Sequence, residues 1–151
     1  MTKIQSLHPT IKDEAQTLVD TANTEILKSG VKMLVTQGLR TFDEQQALFN
    51  QRPKVTNAMP GQSFHNYGLA FDFCLVQGDR TIWDTAKDFD LDGTSDWMEV
   101  VALFKSHGYA WGGNFRSISD KPHFEKTFGH TWQQLLALRK AGKTENGYVI
   151  I

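Results

Sequence analysis

Cysteine is nearly absent: Cys74 stands alone among 151 residues. One thiol forms no intrachain disulfide and builds no thiolate-rich cluster, so any bound metal must be held by histidine and carboxylate. Long apolar runs are missing as well. Nowhere do roughly 18 uninterrupted apolar residues occur, which excludes a membrane-spanning helix. The N-terminal stretch MTKIQSLHPTIKDEAQ lacks the apolar core of a secretory signal, so the chain is expected to be made in the cytoplasm. An excess of charge of one sign is wanting too. Sixteen basic against 17 acidic side chains give a formal net charge of -1, which argues against a nucleic-acid partner bound by neutralising phosphates. No internal repeat or low-complexity linker breaks the chain. What remains is an ordinary globular balance, 40% apolar and 22% charged, of a length that suits one domain spanning residues 1–151.

Periodicity supplies the elements. Ile11, Ala15, Leu18, Val19, Ala22 and Ile26 recur at helical spacing and predict a helix from about Thr10 to Lys28, with Gly30 just past its end. Val31 to Val35 reads as a strand leading to the turn at Gln37-Gly38. Thr41 and Glu44 have the spacing of a capping box and start a second helix, whose buried side would be carried by Ala47, Leu48 and Phe49. Residues 52–62, with two prolines and a glycine, are loop-like. Leu69 to Val76 reads as a buried strand. Its period of two puts Ala70, Asp72 and Cys74 on one face and Leu69, Phe71, Phe73 and Leu75 on the other. A helix over Trp97 to Ser106, short strands at Tyr109–Trp111 and His123–Glu125, and a last helix from the cap Thr131 to Lys140 follow. The sum is an α+β domain: a small, mainly antiparallel sheet with helices packed on one side.

The stretch Ser63-Phe64-His65-Asn66-Tyr67-Gly68-Leu69-Ala70-Phe71-Asp72 concentrates the chemistry. An aspartate inside LAFDFCLV costs several kcal/mol to bury ionised unless a cation or strong donors meet it. Zinc takes imidazole nitrogen and carboxylate oxygen, and a catalytic zinc typically has three protein ligands. Asp120-Lys121-Pro122-His123-Phe124-Glu125 offers the third on a second strand. Read from the residues alone, five histidines leave other combinations open, and Asp72 can equally be held by a neighbouring turn.

The order of the motifs narrows the choice. Ser-x-His-x-x-Gly-x-Ala-x-Asp, followed by Trp-Gly-Gly and Asp-x-x-His-Phe, resembles the zinc peptidases of the D-Ala-D-Ala carboxypeptidase and L-alanyl-D-glutamate peptidase superfamily. The nearer likeness is to the L-alanyl-D-glutamate branch found among phage endolysins, and it runs from Gly38-Leu39-Arg40-Thr41 through Glu125. The resemblance implies the VanY/Hedgehog-like zinc peptidase fold and one catalytic zinc on His65, Asp72 and His123. It also makes Asp120 the catalytic acid and base and sets Arg40 facing the metal, where a guanidinium stabilises an oxyanion. Ser63 and Gln45 lie at motif positions that orient ligand or substrate groups, or serve as local hydrogen-bond partners. Trp111 is expected to pack beneath the site. The carboxypeptidase branch usually carries Glu where this chain has Asp120, so the resemblance points to the L-Ala–D-Glu amide of peptidoglycan stem peptides. A D-Ala-D-Ala carboxypeptidase, or a non-catalytic peptidoglycan-binding relative, is the alternative.

A second pattern lies between the motifs. Asp88, Asp90, Asp92, Thr94, Asp96 and Glu99, with Gly93, fill the ligand positions of a twelve-residue calcium loop. Ser95 departs from it, being polar where such loops place an apolar residue, and no clear entering helix precedes it. The alternative is a solvated acidic loop ending in a helix cap at Thr94 or Ser95. The expected whole is a monomeric wall hydrolase without a separate wall-binding domain, suited to a phage lysis enzyme that is made in the host bacterial cytoplasm and reaches the wall after release.

Overall fold

The computed structural model describes residues 2–151. Its elements are α1 (Lys12–Thr21), β1 (Val31–Gln37), α2 (Phe42–Asn50), β2 (Ala70–Gln77), β3 (Arg80–Ile82) and α3 (Asp96–Lys105). These are followed by β4 (Ala110–Trp111), β5 (His123–Glu125), α4 (Trp132–Lys140), β6 (Thr144–Glu145) and β7 (Tyr148–Val149). Strand β2 is the axis of the antiparallel sheet. It pairs with β1 along one edge; along the other, β3 takes Leu75–Gln77 and β5 takes Ala70–Asp72, with β4 beyond β5.

The core follows from the alternation in β2. Phe71 and Phe73 meet Phe124 of β5 and the α3 side chains Trp97 and Phe104, with ring centroids 4.4 Å apart for Phe73–Trp97 and 4.8 Å for Phe104–Phe124. All five rings are fully buried. Ala70 and Cys74 on the opposite face are buried too, and Asp72 alone among residues 70–75 keeps partial exposure. A strand apolar on both faces with one carboxylate let into it marks where the sheet opens to a ligand.

Two expectations need correction, and one element lies beyond them. The first helix turns from α to π geometry at Ala22–Ile26, where the Asn23 side chain accepts from Met33 N at 2.7 Å and donates to Met33 O at 3.3 Å. That lateral tie to β1 draws the last turn wide. In α2 the buried residue is Gln45, not the apolar Ala47, which is exposed; Leu48 and Phe49 are half-buried. A hydrogen-bonded amide replaces the hydrophobic seam, because this side of α2 faces Arg40 and the loop over residues 52–62 rather than the core. Finally, the C-terminal residues form a β6–β7 hairpin, and its Val149 joins Leu69, Tyr67 and Leu135 of α4 in a second small core. The capping box of Thr41 with Glu44 holds on α2, and Thr131 caps α4 as expected, with Gln134 completing a second box.

Candidate active site

Register builds the centre. Asp72 of β2 lies directly opposite His123 of β5, so both side chains rise on one face of the sheet. His65 enters from a 3₁₀ turn over Phe64–Tyr67, capped by the Ser63 hydroxyl, which accepts from His65 N, and closed by Gly68 at φ 70. The three meet through one oxygen: Asp72 Oδ1 lies 3.2 Å from His65 Nε2 and 3.3 Å from His123 Nδ1. Their ligand atoms all fall within 4.8 Å of one another. The rear nitrogens are occupied. His65 Nδ1 lies 2.9 Å from Gly38 O, and His123 Nε2 lies 2.8 Å from Glu125 Oε1.

Both rear partners are acceptors, so those nitrogens keep their protons, and it is the front nitrogens that give theirs up to leave lone pairs converging beside Asp72. Two imidazole nitrogens and a carboxylate oxygen form a donor set that fits zinc. Burial alone would push Asp72 up, yet hydrogen bonds from His123 and His65 hold it well below the usual carboxylate range. His123 moves the other way. Burial opposes its charge, but hydrogen bonds to Asp72 and Glu125 push it up to about 9. Cationic character is thus favoured where the ligand atoms meet.

Asp120 and Arg40 line the same cleft, of about 330 Å³, as His65, Asp72 and His123. Asp120 Oδ2 lies 3.8 Å from His123 Nδ1. Burial raises its carboxyl above the ordinary value and Asp72 adds to that, against the pull of His123, His65 and Arg40. Arg40 is held from behind by two amides. It donates through Nη1 to Gln45 Oε1 at 3.0 Å and through Nη2 to Gln37 Oε1. Its buried Nε has no hydrogen-bond partner among the described residues. Gln45 is fully buried and donates to Ala58 O at 2.8 Å, so it anchors the guanidinium and the 52–62 loop together rather than lining the cleft.

The segment bearing Asp120 and His123 rests on two indoles. Trp111 Nε1 and Trp97 Nε1 both donate to Lys121 O, at 2.8 and 3.2 Å. Trp111 therefore packs beneath the site. Gly112 is required there, because a Cβ would come 2.2 Å from Asp120 O. Three contributors escaped the reading of the sequence. Glu125 was legible as the i+2 neighbour of His123 on one strand face. Gln37 and Trp97 carried no motif: Gln37 reaches Arg40, three residues on, from the bulged end of β1, and Trp97 acts on Lys121 O, 24 residues away.

In the acidic loop, Asp88, Asp90, Asp92 and Glu99 bring carboxylate oxygens within 4.8 Å of one another. Asp96 does not join that group; its Oδ1 accepts from Phe89 N at 3.0 Å. Thr94 sits on the exposed turn and donates its N–H to Asp92 Oδ1. Ser95 caps α3 by accepting from Met98 N. Buried oxygens Asp90 Oδ1, Asp96 Oδ2 and Glu99 Oε1 have no partner among the described residues.

Comparison with known proteins bears on these sites. A family profile described as D-alanyl-D-alanine carboxypeptidase matches residues 56–126. The peptidoglycan L-alanyl-D-glutamate endopeptidase CwlK of Bacillus subtilis (strain 168) is 42% identical over 125 residues, covering 79% of this chain and 72% of the relative. The L-alanyl-D-glutamate peptidase of Listeria phage A118 is 26% identical over 125 residues, 83% of this chain and 40% of the relative. Among solved structures, the Serratia marcescens L-Ala D-Glu endopeptidase ChiX shares the fold, with a TM-score of 0.57 at 20% identity over 83% of this chain and 84% of that one.

Proposed function

Since the chain belongs to the D-alanyl-D-alanine carboxypeptidase and L-alanyl-D-glutamate peptidase superfamily, we propose that it hydrolyses the L-Ala–D-Glu amide of peptidoglycan stem peptides. Hydrolysis would use one zinc ion held by His65, Asp72 and His123. The observation that carries the reading is the convergence of these three side chains on Asp72 Oδ1, with Asp120 and Arg40 in the same cleft. The 42% identity to a relative named for this activity supports the choice of bond.

Zinc, when bound, supplies Lewis acidity and lowers the pKa of water toward neutrality. The chain's own residues do the rest. Asp120 takes a proton from the attacking water and returns it to the leaving amine of D-Glu; a carboxyl raised by burial is suited to both directions. Arg40 presents a fixed charge to the oxygen that becomes anionic when the amide carbonyl is attacked. Gln37 and Gln45 pre-orient it, so the stabilisation needs no reorganisation during the reaction. Ser63 sets the turn that aims His65. The cleft continues into a neighbouring space of about 620 Å³ lined by Phe64, Phe115 and Ile118, with Ser117, Asn57 and Gln62. That mixture suits a peptide backbone with small side chains.

We also assign a calcium ion to Asp88, Asp90, Asp92 and Glu99, supported by the loop's ligand spacing and its unpartnered buried oxygens. Host-cell lysis is the biological setting we propose, supported by the likeness to the Listeria phage peptidase. The test of the central reading is mass spectrometry of products from a defined stem peptide. New L-Ala C-termini and D-Glu N-termini are expected. Release of terminal D-Ala instead would move the enzyme to the carboxypeptidase reaction that the matched family's description names. A chain that binds the peptide without cleaving it would make it a non-catalytic relative.

A further inference from the structure

We infer that Glu125 is a positioning residue for the metal centre: its carboxylate fixes the ring of His123 so that Nδ1, and not Nε2, faces the metal. The inference rests on the zinc reading above and adds a residue that the motif does not assign.

The strand geometry makes the placement specific. Residues two apart on a strand share a face, so Glu125 follows His123 on the side of β5 that carries Asp72 opposite His123. Glu125 itself lies opposite Ala70 of β2 and Ala110 of β4. Both cross-strand neighbours are methyl groups, which offer no donor and leave room beside the imidazole. The Glu125 carboxylate therefore turns along its own strand, and Oε1 reaches His123 Nε2 at 2.8 Å. The pair is well shielded, with side chains 10% and 15% exposed.

The imidazole stands between Glu125 and the ligand atoms. Asp72 Oδ1 meets the ring at Nδ1, while Glu125 meets it at Nε2. Glu125 is accordingly not one of the converging ligand oxygens. An ionised carboxylate only accepts, so Nε2 must carry the proton and the Nδ1 lone pair is left for the metal. Gly38 O does the same for His65 from the opposite ring nitrogen, leaving Nε2 as its ligand atom. The two histidines thus present different nitrogens, and the rear partner decides which in each case. A carboxylate partner also makes the imidazole a more basic ligand than a carbonyl would. Such outer partners orient metal ligands, and removing one typically costs about 10–100-fold in affinity.

The test measures zinc dissociation constants of the whole chain, started metal-free, by competition with a chromophoric chelator for wild type, Glu125→Gln and Glu125→Ala. Nitrogen NMR of the imidazoles in the zinc-loaded proteins accompanies it. Glu125→Ala should weaken zinc by about 10–100-fold and give His123 mixed tautomers. Glu125→Gln keeps shape and one acceptor but loses the charge, so its loss should be smaller, with the Nε2–H tautomer retained. Thermal unfolding of the metal-free proteins separates this from a packing defect, and the near-isosteric Gln variant decides if the Ala variant fails to fold. Zinc affinities within twofold of wild type in the folded variants overturn the inference while leaving the zinc reading intact. A wild-type chain that takes up no zinc overturns both.

Discussion

At the scale of single residues, the proposed reaction divides the site into groups that hold and one group, Asp120, that moves a proton. His65, Asp72 and His123 are pinned from both sides, and their hydrogen bonds leave little freedom. Asp120 differs: its carboxyl is half-exposed, and it lies 3.8 Å from His123 Nδ1. A group so placed can swing between water and leaving amine, which a rigid ligand cannot do. Asp120→Asn keeps the shape and removes the basic oxygen. Zinc content should stay at one ion per chain, while turnover falls by roughly 10²–10⁴-fold, the usual worth of a positioned general acid–base. Metal analysis beside a peptide-cleavage assay checks both halves. Retained turnover would take Asp120 out of its role, and lost zinc would make it a ligand.

At the scale of elements, the antiparallel pairing of β2 with β5 sets Asp72 against His123, and the Trp-Gly-Gly segment sets the height of the turn that runs from Asp120 into β5. Lys121 O accepts two indole N–H groups, so Trp97→Phe and Trp111→Phe should each cost about 1 kcal/mol of hydrogen bonding with the other indole still in place. Trp97→Phe should cost more in total, because it also empties part of the aromatic core. The double variant leaves the carbonyl bare beneath the site and should lose more than the sum, by about 1–3 kcal/mol. Denaturant unfolding in a double-mutant cycle, with kcat measured alongside, reads this; strict additivity would deny the shared acceptor. Much of this level was legible in the chain. The alternation of LAFDFCLV gave β2 and the face of Asp72, and Thr41 with Glu44 gave the start of α2. Two hairpins went unread although their turns were written out. Gly78-Asp79 joins β2 to β3, and Asn146-Gly147, both at positive φ, joins β6 to β7. Strands of two or three residues are too short to show a period, so only the turn residues announce them. Gln45 was missed as a buried residue for a different reason. Its burial is satisfied by Arg40 and Ala58 O, partners that no helical period reveals.

At the scale of the whole molecule, the acidic loop and the cleft are joined through α3. The loop runs into the Ser95 cap, Trp97 is the second residue of the helix, and its indole holds the Lys121 carbonyl in the turn that leads from Asp120 to His123 of β5. The proposed ordering of the loop by calcium would therefore bear on the cleft through α3 and Trp97. In the cation-free loop the carboxylates oppose one another. Burial, then Asp92, Asp90 and Asp96, push Glu99 up to about 8 from an ordinary value of 4.5. A carboxyl whose folded pKa is raised holds a proton that the unfolded chain has already released. Its contribution to stability is therefore greatest below the unfolded value and is lost as pH rises toward the folded one. Glu99→Gln mimics the protonated group. Without calcium, wild type and Glu99→Gln should unfold at similar temperatures near about pH 5, with wild type falling progressively below the variant up to about pH 8 and parallel to it beyond. Calcium favours the ionised carboxylates, so at the higher pH it should raise the wild-type midpoint and move the variant little. Zinc-loaded protein is used throughout, so that the paired histidines contribute equally to both curves. Parallel curves across the whole range would remove Glu99 from the charge cluster. Equal responses of the two proteins to calcium would place the ion elsewhere.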